Sequence, residues 1–252
     1  ANIGLINNYI NAILGTTPIQ LINVRGVDQF VRKLQNTYSV ASLNKGHTPK
    51  LLSESNIEKI AQLMRTAFKQ AVRWDLIPKN PFDNAVLPKV HYKPRDIWTA
   101  EMIRTALEAC TESKLYIAMN LSFACSLRLG EILGLTWSNV HMTDADIMAN
   151  NAFVYIDKEL TRATLHAIEA LGKTEIFHIF EPMKRDASTR LILKTTKTKS
   201  SVRKVWLPKT VAYILREWKK SQDELRKFYV HDYEEHDLVI SLPKGKPCDG
   251  RR

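Results

Sequence analysis

The stretch Phe123-Ala124-Cys125-Ser126-Leu127-Arg128-Leu129-Gly130-Glu131-Ile132-Leu133-Gly134-Leu135-Thr136-Trp137 sets one arginine inside an apolar run. A run of this kind folds into an interior, yet a guanidinium is almost never buried without a partner. Any fold of this chain must therefore bring an anion to Arg128. Two sources are open: the carboxylate of Glu131, three residues on, and a phosphate from outside the chain.

Hydrophobic spacing organises what lies on either side. Ile3, Ile6, Ile10, Ile13 and Leu14 recur at helical intervals, with Gly15 and Pro18 ending the segment. A second helix is expected from Ile19 to about Tyr38, carrying Val24, Val27, Phe30, Val31 and Leu34 on one face. Residues 44–50 form a basic loop that contains Lys45. A long helix follows, with Ser55 as its expected N-cap and Glu58 three residues later as a capping box. Its apolar stripe is Ile57, Ile60, Ala61, Met64, Ala67, Phe68, Ala71 and Val72, while Lys59, Gln62, Thr66, Lys69 and Arg73 occupy another face. Pro78-Lys79-Asn80-Pro81 stops this helix, and residues 88–95, with Lys89, Lys93 and Arg95, read as an extended basic linker.

Beyond the linker the pattern changes. Thr99 caps an expected helix to Cys110, and Leu115 to Cys125 is apolar enough to be a buried central helix. A short helix covers 130–135. Phe153-Val154-Tyr155-Ile156, Thr189 to Lys194 and Val202 to Leu207 are rich in β-formers and read as one small antiparallel sheet. Residues 163–185 between them suggest an inserted hairpin or strand pair. Pro208 suits the first turn of a helix to about Tyr229, and Leu238-Val239-Ile240-Ser241 is a short strand-like run. The expectation is two domains, helical over 1–88 and α+β over 98–252, joined by 89–97.

At 252 residues the chain is long enough for two cores. Its formal net charge of +11 favours a polyanionic partner, although solubility alone also accounts for such a balance. Cys110, Cys125 and Cys248 are odd in number and lack Cys-x-x-Cys spacing, so neither a disulfide framework nor a zinc site is indicated, and a reducing cytoplasm fits. The seven histidines show no metal-ligand spacing, no cofactor is implied, and no run reaches membrane-spanning length.

Three segments in order, Ala71 to Pro81, Leu127 to Trp137 and Lys197-Thr198-Lys199-Ser200-Ser201-Val202-Arg203-Lys204, resemble those of tyrosine recombinases, the phage-integrase family, and most of all the integrases of conjugative transposons. The resemblance covers nearly the whole chain. It implies a helical core-binding domain and an α+β catalytic domain that together clamp double-stranded DNA, and a homo-oligomer working on paired sites. It implies that Arg128 holds non-bridging oxygens of the scissile phosphate, for which a permanently charged planar fork is suited. Glu131 then orients Arg128 or its helix. Lys197 matches the family's general acid, with Lys194 and Lys199 as alternatives nearby. Lys45, Lys69, Arg73, Lys89, Lys93, Arg95, Lys199, Ser200 and Arg203 are implied contacts to the DNA backbone.

The chain departs from the family in one respect. The second active-site box, of His-x-x-Arg type, and the nucleophilic tyrosine are expected later in the catalytic domain. Tyr229 and Tyr233 come too early to match that tyrosine. The resemblance therefore implies a catalytic domain incomplete at its C-terminus, able to bind DNA and unable to cut it by itself. Two alternatives stay open: a non-catalytic DNA-binding protein that retains the clamp, and a type IB topoisomerase, disfavoured by the small size and the transposon-like segments.

Overall fold

The computed structural model describes residues 2–43, 48–92, 94, 96–171, 175–182 and 187–250. They form two compact units, one up to Asp96 and one from Ile97 onward.

The first unit is helical. Helix α1 (Asn2–Leu5) runs through a π-turn (Ile6–Ile10) into α2 (Asn11–Leu14). The helix expected from Ile19 is shorter than its apolar spacing suggests. After a 3₁₀ turn, Ile19–Leu21, the side chain of Asn23 accepts a bond of 2.9 Å from the Gly26 N–H and starts α3 at Val24–Gln35. A local oxygen acceptor decides a helix start more strongly than hydrophobic period.

Helix α4 (Glu54–Arg73) likewise begins on Ser53, whose hydroxyl accepts from Asn56 N–H, and not on the expected Ser55. The residues flanking that cap, Leu52 and Ile57, are both buried in one core, the arrangement of a hydrophobic staple, and this sets the start two residues earlier. After α4 the chain reverses at Asp75, in the left-handed region at φ 55°, and folds Ile77 and Phe82 back under the helix. The Phe82 ring lies 5.0 Å from that of Phe68 and 6.3 Å from that of Phe30. Arg65 donates from Nε and Nη2 to the Phe82 carbonyl, which holds this return in place.

The second unit opens with α5 (Ala100–Ala109), capped by Thr99 as its sequence implies, and α6 (Ser113–Cys125). Helix α6 is less buried than its composition suggests: Ile117, Leu121 and Cys125 form one buried stripe while Leu115 and Phe123 are exposed. Then come α7 (Leu129–Leu133), β1 (Val140–His141), α8 (Asp144–Met148), β2 (Phe153–Ile156), β3 (Lys158–Thr164), α9 (Leu165–Leu171), β4 (Ile176–Ile179), β5 (Thr189–Thr195), β6 (Arg203–Trp206) and α10 (Lys209–Tyr229).

The strands form two antiparallel sheets, in the orders β1-β2-β6 and β3-β5-β4, where the sequence suggests one. The strand of residues 189–195 leaves the expected sheet and pairs over seven positions with β3, a polar strand with no sequence signal of its own. Only Asp157 separates β2 from β3, so one extended stretch passes from the first sheet into the second. The segment expected to be an inserted hairpin contains α9 and the edge strand β4. Pro208 stands at the N-cap of α10, one position before the first turn, and its carbonyl accepts from Ala212 N–H. Residues 238–240 are buried and run beside the segment after α7, through Val239 N to Leu135 O at 2.9 Å and Trp137 N to Asp237 O at 2.8 Å. Among the described residues no helix is long and apolar enough to cross a membrane.

Candidate phosphate-binding site

Local chain geometry places Arg128. Helix α6 ends where Ser126 takes the left-handed conformation, φ 53° and ψ 36°. Leu127 then turns inward and is buried, and Arg128 becomes the N-cap residue of α7 in extended backbone. Its N–H donates to Oε2 of Glu131 at 3.0 Å, which is one half of a capping box; a guanidinium cannot accept, so the other half is absent.

Two glycines let α7 press on β3. A Cβ on Gly134 would stand 2.6 Å from Leu160 N and 2.8 Å from Glu159 C, and one on Gly130 3.2 Å from Leu160 O. The apolar run thus folds inward through Leu127, Ile132, Leu133 and Leu135, leaving the Arg128 side chain 73% exposed. The partner demanded by the sequence is Glu131, reached from Arg128 Nη1 at 3.0 Å, and the remaining guanidinium N–H groups make no hydrogen bond among the described residues.

Glu131 is 2% exposed and has a second cation, Arg203, whose Nη1 and Nη2 donate to its two carboxylate oxygens at 3.0 and 2.9 Å. Burial pushes the Glu131 carboxyl up, but the Arg203 hydrogen bonds, the Arg128 backbone N–H and the Arg203 charge together hold it below the ordinary glutamate range. Glu131 in turn raises Arg203.

The lysine-bearing turn lies between β5 and β6. Thr196, buried, donates its N–H to the Asp157 carbonyl, and Asp157 is itself held by Asn139 at 2.6 Å and by Lys158. The Thr198 hydroxyl shares hydrogen bonds with Ser200 (3.0 Å) and Ser201 (2.8 Å). Lys197 is exposed and has no ion pair among the described residues. Lys194 points elsewhere: its Nζ sits 3.0 Å from Glu159 and its side chain is largely buried. The side chain of Lys199 lies outside the described residues. Arg203 closes the turn by donating to the Ser201 carbonyl at 3.0 Å. A chain of contacts thus joins the turn to Arg128 through Arg203 and Glu131.

The other basic candidates are scattered. Lys69 and Arg73 are exposed on α4, and Lys89 is exposed beyond it. Lys45, Lys93 and Arg95 lie outside the described residues.

No family model matches the chain. It is 22% identical over 223 residues to the ICEBs1 integrase of Bacillus subtilis (strain 168), covering 88% of this chain and 49% of that protein. The chain therefore spans about half the length of the curated relative it matches. Two solved structures of the Tn1549 transposon integrase share its fold. One, in complex with transposon right end DNA, has TM-score 0.63 at 18% identity and covers 93% of this chain and 62% of that one. The other, in complex with a circular intermediate DNA, has TM-score 0.64 at 17% identity and covers 98% of this chain and 67% of that one. The fold is that of these transposon integrase structures.

Within this fold the sequence reading missed the attachment of Arg203. The signal was present in the period-two pattern: Arg203, Val205 and Leu207 alternate with exposed Lys204 and Trp206, and Arg203 stands opposite Ile156, a fully buried residue of β2. Its side chain therefore starts on the core face. The Asp157–Asn139 pair that anchors the turn had no comparable signal, because its members lie 18 residues apart.

Proposed function

We propose that this chain is part of a site-specific DNA recombinase, an integrase that excises and inserts a mobile element by strand cleavage and rejoining. Its partners are double-stranded DNA at the element ends and target, and further copies of itself on paired sites. The observation that carries the reading is the exposed fork of Arg128, anchored by one N–H to a buried carboxylate that also holds the arginine of the lysine turn.

In the reaction a tyrosine hydroxyl gives up its proton to water and its oxygen forms a bond to phosphorus while the bond from phosphorus to the 5′ oxygen breaks. The departing oxygen keeps the electron pair and takes a proton from the Lys197 ammonium, leaving a 3′-phosphotyrosyl link. Arg128 neutralises the non-bridging oxygens as charge builds on them. Glu131 sets the orientation of Arg128. No nucleophile and no second box are assigned among these residues. Residues 1–88 serve as the core-binding domain, with Lys45, Lys69 and Arg73 toward the backbone. The linker 89–97 adds Lys89, Lys93 and Arg95, and residues 98–252 carry the catalytic contribution, with Lys199 and Ser200 as backbone contacts.

The test uses protein from the whole natural gene and a nicked duplex that traps the covalent adduct. Arg128→Lys should retain duplex binding and lose adduct formation by about a hundredfold or more, since a point charge cannot replace the fork. Adduct formation unchanged from wild type refutes the reading.

A further inference from the structure

We propose that Arg203 is a positioning residue that keeps Arg128 available to a phosphate by occupying the carboxylate that would otherwise capture it. The inference rests on the recombinase reading above and assigns a role to a side chain that the sequence resemblance implies only as a contact to the DNA backbone.

The geometry of Glu131 leads there. Both of its oxygens are engaged by the two terminal nitrogens of Arg203, a fork-to-fork pair. Arg128 receives what is left: one contact from Nη1 to Oε1, and its backbone N–H on Oε2. Glu131 is 2% exposed and cannot turn its charge to water, so it must be neutralised from within the protein.

With both arginines present, two positive charges face one negative charge, and the surplus lies on Arg128, the more exposed of the two at 73% against 31%. Without Arg203, the neighbour three residues away becomes the sole partner, its fork closes on the carboxylate, and the pair is neutral. A phosphate would then compete with a buried carboxylate for the same guanidinium. Register makes the arrangement obligatory, since Arg203 stands opposite Ile156 and its Nη1 is further fixed by the Ser201 carbonyl. The same contact places the end of the lysine turn beside the site, so one side chain sets both groups.

The experiment follows the side-chain Nε–H signal of Arg128 by arginine-selective ¹⁵N NMR in the 252-residue chain, titrated with a mixed-sequence DNA duplex and assigned by its loss in Arg128→Lys. In wild type the Arg128 signal responds to the duplex. In Arg203→Met the midpoint of that response rises about tenfold or more, and in Arg203→Met/Glu131→Gln it returns to within about threefold of wild type, because the competing charge is gone. The pH profile separates this from a structural effect: Arg203→Met recovers its response as acid neutralises Glu131, and wild type shows no such recovery.

Arg203→Lys, whose single ammonium cannot hold both carboxylate oxygens as a fork does, raises the midpoint about threefold or more and serves as the deciding arm if Arg203→Met does not fold. A wild-type response in Arg203→Met or, where that variant does not fold, in Arg203→Lys, or a double variant no better than the single, overturns the proposal. An Arg128 signal indifferent to DNA in wild type overturns instead the reading on which it rests.

Discussion

Replacing Glu131 by Gln isolates the charge at the centre of the site while keeping its shape. The carboxylate accepts four hydrogen bonds: from Arg203 Nη1 and Nη2, from the Arg128 backbone and from Arg128 Nη1, all at 2.9 to 3.0 Å. An amide keeps one acceptor oxygen and turns an NH₂ toward N–H donors, so about half of these bonds are lost. A hydrogen bond to a charged group contributes about 1.5–3 kcal/mol, so two lost bonds set an upper range of about 3–6 kcal/mol. Arg128, 73% exposed, regains its water almost entirely, which discounts its share of that range, while Arg203 regains less. The expected destabilisation is therefore about 2–3 kcal/mol.

Urea unfolding followed by tryptophan fluorescence measures it in the right unit, because Trp98, Trp137, Trp206 and Trp218 all lie beyond Ile97 and only Trp74 precedes it. The pH dependence supplies an independent check. The folded carboxyl lies below its unfolded range, so the native state binds fewer protons and the contribution is complete above a pH of about 4.3. It is lost as pH falls through the folded value. The gap between wild type and Glu131→Gln should therefore be full at pH 7 and close on acidification. A difference under about 0.5 kcal/mol at pH 7, or one that persists unchanged into acid, refutes the electrostatic argument.

Gly134→Ala should destabilise the second unit by about 1–3 kcal/mol, read as a shift in urea midpoint, because its Cβ meets the backbone of Glu159 and Leu160, which cannot rotate away. Ser53→Ala should cost about 1 kcal/mol while Ser55→Ala stays within about 0.5 kcal/mol, and thermal melts of the two variants decide which serine caps α4. His178 has its pKa lowered by burial and then by the charge of His236, whose ring lies 4.8 Å away. Its neutral form is favoured on folding, so stability should be complete above pH about 6.5 and fall on acidification below it, a loss that His178→Phe reduces in urea titrations at stepped pH.

The helices were legible because their evidence is local. The period of α4 and the Thr99 cap of α5 depend on neighbours within a turn or two, and the structure reproduces both. Even there the starts of α3 and α4 moved, since Asn23 and Ser53 compete with other local acceptors and only the buried staple of Leu52 and Ile57 settles the choice for α4. The sheets were legible only in part: the strands expected at 153–156 and 202–207 do pair antiparallel, whereas the strand at 189–195 joins a second sheet. Strand β3 has no alternating pattern, and its seven pairs with β5 join residues separated by the whole α9 and β4 segment.

The same division runs through the site. From the amino-acid order alone it follows that Arg128 needs an anion and that Glu131, three residues away, can reach it, because one helical turn brings i and i+3 together. That Glu131 is sealed from water, that it also holds Arg203 from 72 residues downstream, and that Arg128 nonetheless faces solvent were decided by tertiary structure. Burial and charge pairing between distant segments depend on which strand lies opposite which, and that register exists only once the chain has folded.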